Sequence, residues 1–229
     1  MDGNSDGIID TEALRVDPLP EGLGDGSTVL VAVAGDPSRY AVSLRVLVAQ
    51  GTTGDTGLVV TTTESADRTI AVYTSLESET EWPSIGIVDT TSEQQFLSAL
   101  YGETPVVFTP SPGDLERLVL ALSDLCDNTM PTSGARHLLV RSLTPILDTS
   151  PTSRVGAVIE RISGLRSESG LCLLGIDYTA HDQETMTAIA DLVDGVLWVT
   201  HPSSDRLAFD YQPTRGRHSR SGVGGDVGG

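Results

Sequence analysis

Residues Gly35 to Val42, GDPSRYAV, join one apolar run to the next. In such a place a strand, a tight turn and a helix N-terminus can turn backbone N–H groups toward an anion. A phosphate-gripping loop of the G-x-x-x-x-G-K-[ST] kind adds an ammonium and a magnesium-binding hydroxyl at fixed offsets. Counted from Gly35, those offsets hold Tyr40, Ala41 and Val42. The chain contains no lysine, which removes both the loop ammonium and any lysine Schiff base. What the stretch keeps is a turn and a helix start. Pro37 presets φ, Ser38 is expected to cap the helix, and Ala41, Val42, Leu44 and Leu47 are expected to pack it on a sheet. Gly35, Ser38 and Arg39 stay on as candidates for a reduced anion site, because a helix terminus still attracts phosphate and arginine supplies charge.

Other constellations carry less chemistry. In DGNSDGIID, Asp2, Asn4, Asp6 and Gly7 fall at positions one, three, five and six of a calcium loop, but position twelve is Ala13 and Glu12 arrives one residue early. A solvated acidic tail accounts for that stretch more simply. His181, Asp182 and Glu184 have no partner at i+4 and no nearby cysteine, so zinc has little support and no metal is expected. His137 and Ser142 face opposite ways from one strand and cannot form a nucleophile pair. Cys126 and Cys172 lie far apart in apolar segments and read as reduced core thiols.

The elements that must position these residues alternate. Apolar runs rich in β-branched residues predict strands over 28–34, 57–62, 84–88, 105–109, 137–140, 171–176 and 196–200, with an edge strand near 207–211. Between them, residues 112–127 put Leu115, Leu118, Val119, Leu122, Leu125 and Cys126 on one helical face. Val155, Val158, Ile159, Ile162 and Leu165 repeat the pattern, as do Met186, Ile189, Ala190 and Val193. Ser92 and Gln95 form a capping box for a short helix ending at Gly102. Such alternation defines an α/β domain around a largely parallel sheet. Residues 1–26 read as an acidic flexible segment, 27–211 as the domain and 212–229 as a Gly-rich disordered tail. In open α/β sheets ligands bind outside the carboxyl ends of the strands, which places Gly35, Glu64, Arg141, Ser142 and Asp177 where a ligand would sit.

Charge narrows the partners. With 32 acidic against 14 basic residues the formal charge is −18. That field disfavours unguided binding to nucleic acid or to an anionic membrane. An acid-rich surface without lysine suits a cytosol of molar salt, where repulsion is screened within about 3 Å. A halophile's cytoplasmic protein is expected, with no signal peptide or spanning segment.

The segments GLVVTTTESADR from Gly57, TPVVFTPSPGDLERL from Thr104, HLLVRSLTPILDTSP from His137, GLCLLGIDYTAHD from Gly170 and IADLVDGVLWV from Ile189 resemble the KaiC-like branch of the RecA superfamily. They are most similar to its haloarchaeal, HTR-like relatives, across roughly residues 27 to 211. The resemblance implies a RecA-like three-layer sandwich with helices on both faces of a mostly parallel sheet, and ATP as the family's cofactor. It also places Ala41 and Val42 at the phosphate-loop Lys and Ser/Thr, and Arg141 where the magnesium-binding acid should follow the Walker B strand. A guanidinium cannot coordinate a cation and its charge opposes one. Only Glu64 matches the region of the family's catalytic acids. Phosphoryl transfer rests on positioning and charge neutralisation, so losing both groups removes what lowers its barrier. The expectation is a degenerate domain without a cofactor, acting on protein partners, such as an active KaiC-like relative, in regulation or signalling. The alternative is a nucleotide-binding or weakly hydrolysing ATPase with an atypical loop, in which Glu64 activates water.

Overall fold

The computed structural model describes residues 15–20, 23, 26–76, 82–92, 104–130, 132–203 and 206–214. Its strands follow the apolar runs. They are β1 (Arg15–Val16), β2 (Thr28–Val33), β3 (Thr56–Thr61), β4 (Ser84–Asp89), β5 (Val106–Phe108), β6 (Arg136–Val140), β7 (Cys172–Asp177), β8 (Gly195–Ser203) and β9 (Arg206–Pro213). The helices are α1 (Val42–Gln50), α2 (Ala66–Leu76), α3 (Leu115–Asp124), α4 (Thr144–Thr149), α5 (Thr152–Ser163) and α6 (Gln183–Ala190). All nine strands form one sheet in the order β1-β9-β8-β2-β7-β6-β3-β4-β5. Every neighbouring pair is parallel except the β8–β9 hairpin.

Every residue of β2 and β3 is buried, as strands covered on both faces must be. Alternate side chains feed two cores. Leu30, Leu58, Val60, Leu138 and Leu174 pack with α3, α5 and α6 on one face. Val29, Val31, Val59, Leu139 and Leu173 pack with α1 and α2 on the other. Each fully buried Leu or Val contributes about 1.5–3 kcal/mol over an exposed one. The expected RecA-like three-layer α/β sandwich, mostly parallel with helices on both faces, is therefore the fold of this chain. Among the described residues no helix is long and apolar enough to cross a membrane.

Local chemistry moved several boundaries. The helix expected from residue 112 begins at Leu115, because the Asp114 carboxylate accepts the Arg117 N–H at 3.2 Å and caps it there. Its last turn widens into a π-turn over Leu125–Thr129. Part of the segment expected to be flexible joins the sheet: β1 pairs with β9, Leu23 is buried, and Asp17 meets Arg206 at 2.8 Å. At the other end β9 runs to Pro213, and the Thr214 N–H bonds the Asp194 carbonyl, beyond the expected limit at 211. The short helix from Ser92 to Gly102 lies mostly outside the described residues, as does the calcium-like stretch of Asp2, Asn4 and Asp6. Ser92 itself donates its hydroxyl to Asp89 at 2.7 Å.

Candidate functional site

The order of strands reverses at β2, whose successor β3 lies three places away while β8 closes on its other side. A crevice at the carboxyl ends of β2, β7, β6 and β3 follows from that reversal. Its floor begins with Gly35, whose φ of 84° belongs to the left-handed region that glycine tolerates best. The next residues form a 3-10 turn, Pro37–Tyr40, rather than an open loop. Asp36, not Ser38, supplies the cap: its carboxylate accepts the Ser38 N–H at 2.9 Å. The N-cap of α1 is Ala41, at φ 50° and without a side-chain bond. Ser38 is buried instead, its hydroxyl 2.8 Å from that of Thr63.

The turn's amides are already engaged. Gly35 N–H donates to the Asp177 carboxylate at 2.9 Å, Arg39 N–H to the Asp36 carbonyl at 3.1 Å and Ala41 N–H to the Ser38 carbonyl at 3.0 Å. An anion entering here would have to displace two carboxylates of the chain itself, Asp36 and Asp177. Burial pushes the Asp177 carboxyl up, but the hydroxyl and N–H of Thr179 and the N–H of Gly35 outweigh it and hold the group below its ordinary range.

Arg141 fills the crevice wall. Placed just past β6, its side chain is 1% exposed and points to the face covered by α1 and α2. Nη1 donates to Glu64 Oε2 at 2.6 Å and to Thr69 Oγ1 at 2.8 Å, and Nη2 donates to the Ser38 carbonyl at 3.0 Å. One guanidinium thus ties together the turn after β2, the segment after β3, helix α2 and the end of β6. Burial lowers its pKa below the ordinary arginine value and the Glu64 charge raises it. Arginine still stays protonated. Glu64, at 22% exposure, commits Oε2 to this pair. Ser142 takes no part through its hydroxyl, while its carbonyl accepts the Thr62 hydroxyl at 2.7 Å.

The structure therefore brings Gly35, Ser38, Glu64, Arg141 and Asp177 to one place. It leaves Arg39 outside, exposed, with its guanidinium 5.3 Å from the centre of the Tyr40 ring. Tyr40 stacks on His201 at 4.1 Å, and burial together with the Arg39 charge lowers the His201 pKa. Sequence reasoning missed Thr69 and the Asp36 cap. Asp36 before Pro37-Ser38 was the available signal; Thr69 had none, since its partner Arg141 lies 72 positions away. Among the described residues no group of three or more His, Cys, Asp and Glu could hold a metal ion.

Fold and site together define an α/β strand-end crevice in which Arg141 is paired with Glu64 from within. The chain belongs to a family of unknown function (DUF7504), whose profile matches residues 26–199. No curated protein matches it. Among solved structures, it is similar to PH0250 of Pyrococcus horikoshii OT3 at 11% identity and a TM-score of 0.49, covering 81% of this chain and 86% of that one. It is also similar to PH0321 of Pyrococcus horikoshii, solved in complex with an unknown peptide. That match has 10% identity and a TM-score of 0.52, over 83% of this chain and 84% of that one.

Proposed function

We propose that this chain is a catalytically degenerate RecA/KaiC-like domain that works by protein contacts in regulation or signalling, in the cytoplasm of a halophilic archaeon. The supporting observation is the guanidinium of Arg141, held at 2.6 Å by Glu64, the acid that the resemblance matches to the family's catalytic region. Transferring phosphoryl groups requires a metal ion and a positioned water between those residues. An internal cation there repels a metal and engages one oxygen of the acid. The backbone donors that would cradle phosphate are bound to Asp177, Asp36 and Ser38. What the crevice retains is a tied junction of four elements, a device for holding a surface in shape. The partner is a protein, an active KaiC-like relative being the first to try. PH0321, of the same fold, carries a peptide in its own structure.

Isothermal calorimetry with Mg·ATP in molar KCl tests this reading directly. The expected result is neither binding heat at micromolar nucleotide nor phosphate release, together with a stoichiometric protein partner in affinity capture at native salt. Micromolar binding with phosphate release overturns it and returns the chain to the ATPases.

A further inference from the structure

Beside the crevice, the last two strands present a second surface. Side chains along β9 alternate between the two faces of the sheet. Leu207, Phe209 and Tyr211 turn to the core beneath α1 and α2. Arg206, Ala208, Asp210 and Gln212 therefore turn to the other face, whose core takes in no described residue of β9 and ends at Trp198 of β8, beside Met186 and Ala190 of α6. Asp210 stands directly across from Trp198. We infer that this face docks an arginine-bearing segment of a protein partner, its guanidinium laid on the rings of Trp198 and Tyr178 and paired with Asp210. The inference names the chemistry of the partner and rests on the reading that the chain works by protein contacts.

The aromatic part is built by three neighbouring strands. Tyr178 follows β7, and its N–H bonds the Val33 carbonyl of β2 at 3.1 Å. Exposed Ala34 at the end of β2 leaves room for the Tyr178 ring, which meets Trp198 nearly edge-on, with centroids 5.4 Å apart and planes at 72°. Tyr178 is 36% exposed. Tyrosine and tryptophan, with arginine across from them, are the side chains that carry most of the energy in protein contacts.

Charge selects the occupant. Asp210 is exposed and accepts the Gln212 Nε2 at 3.0 Å through Oδ2, with no described bond to Oδ1. Asp177, next to Tyr178, takes its described bonds from Gly35 and Thr179 on Oδ1, with none on Oδ2. Helix α6 opens on Asp182 and Glu184, both exposed. The basic groups of these elements are engaged elsewhere: Arg206 by both oxygens of Asp17 at 2.8 Å, His181 by the Thr144 hydroxyl at 3.1 Å, and His201 by the Tyr40 ring. An aromatic face among open carboxylate oxygens suits a cation. Guanidinium suits it better than ammonium, because it stacks flat on a ring while its fork bonds a carboxylate, and it sheds water more readily.

Amide NMR of the full chain in molar KCl, titrated with acetyl-Gly-Arg-Gly-Arg-Gly-amide, tests the surface. The expected result is saturable shifts of the Trp198 indole N–H and of the amides of Tyr178, β8 and β9, with the Trp82 indole unmoved. The lysine counterpart should bind about fivefold more weakly, and the citrulline counterpart should not bind. Tyr178→Ala and Asp210→Asn, both at exposed side chains, should each weaken the peptide about threefold with melting temperature unchanged. Shifts that do not saturate, equal binding of the citrulline peptide, or affinity unchanged in both variants overturns the assignment. Free arginine binding as tightly as the peptide also overturns it, in favour of a small metabolite. The chain carries arginines of its own beyond β9, Arg215, Arg217 and Arg220. Peptide binding that tightens when all three are replaced by serine would assign the face to them and overturn the partner. Phosphate release from Mg·ATP would refute the degenerate reading while leaving these shifts in place, whereas absent shifts in a chain that also ignores ATP would refute this surface alone.

Discussion

Replacing Arg141 with methionine keeps the bulk of the side chain and removes its five donors. Two of the groups it serves are buried, the Thr69 hydroxyl and the Ser38 carbonyl, and each loses its partner. A buried polar group left unpaired costs about 1–3 kcal/mol. Glu64, at 22% exposure, can turn to water and adds less. Arg141→Met should therefore destabilise the fold by about 3 kcal/mol. Glu64→Gln leaves the opposite imbalance, a buried cation facing a neutral amide that still accepts one hydrogen bond. Its cost should be about 3 kcal/mol, the low end for a broken buried pair. If the two groups act as one unit, the double variant costs less than the sum of the singles by about 2 kcal/mol. Urea unfolding in molar KCl measures all four species, and that salt makes the comparison sharper. Exposed charges are screened within about 3 Å there while buried pairs are not. The Arg206–Asp17 pair, with side chains 52% and 28% exposed, should show no coupling in the same buffer. Single variants costing less than about 1 kcal/mol, or additivity within about 0.5 kcal/mol, would refute the latch.

Two further outcomes follow from buried groups. Asp89 is fully buried and accepts five hydrogen bonds, from Ala66 N–H and from the N–H and hydroxyl groups of Thr91 and Ser92. Burial raises its pKa, and those bonds outweigh burial and leave it below the ordinary aspartate value, as also happens at Asp55. A depressed folded pKa stabilises above the unfolded value and loses that contribution as pH falls. Acid titration of the urea midpoint should therefore show stability declining below about pH 4. Asp89→Asn, which turns an amide donor toward those donors, should cost about 3 kcal/mol at neutral pH and flatten that acid slope. In the native state Cys172, its thiol pushed up to about 11 by burial, should resist a thiol reagent at pH near 8, as should Cys126, raised in the same way. Both should react once urea unfolds the chain, and rapid native labelling of Cys172 would contradict its burial.

Short-range chemistry made most of the scaffold legible. β2 and β4 are rich in β-branched residues, β6 closes on the apolar run Leu138-Leu139-Val140, and α3 and α5 show an apolar stripe, so their existence is legible in the sequence. Helix α2 carries a narrower stripe, Ala66, Ile70, Tyr73 and Leu76, within ADRTIAVYTSL. Helix α4 spans six residues, too few to show a period. β1, two residues long, owes its place to pairing with β9 and to the Arg206–Asp17 contact 189 positions apart. Ser38 reads as a local cap, but Asp36 supplies the cap and the Ser38 hydroxyl instead meets that of Thr63, 25 positions away.

The site divides in the same way. Offsets from Gly35 showed which phosphate-binding groups were missing, since that pattern is local. They could not show what stood in their place, because the Arg141–Glu64 contact joins residues 77 apart. Losing a phosphate-loop lysine alone leaves a helix terminus that still draws anions. Losing the metal-binding acid alone leaves a cavity. In this chain Arg141 makes one contact that satisfies Glu64, the turn and α2 together. A guanidinium suits this role because its planar fork serves three acceptors at once, whereas a lysine's point charge would not hold them in one plane. Placing a lysine at residue 41 should therefore not create phosphate binding in calorimetry, since Asp36 and Asp177 still occupy the turn's donors.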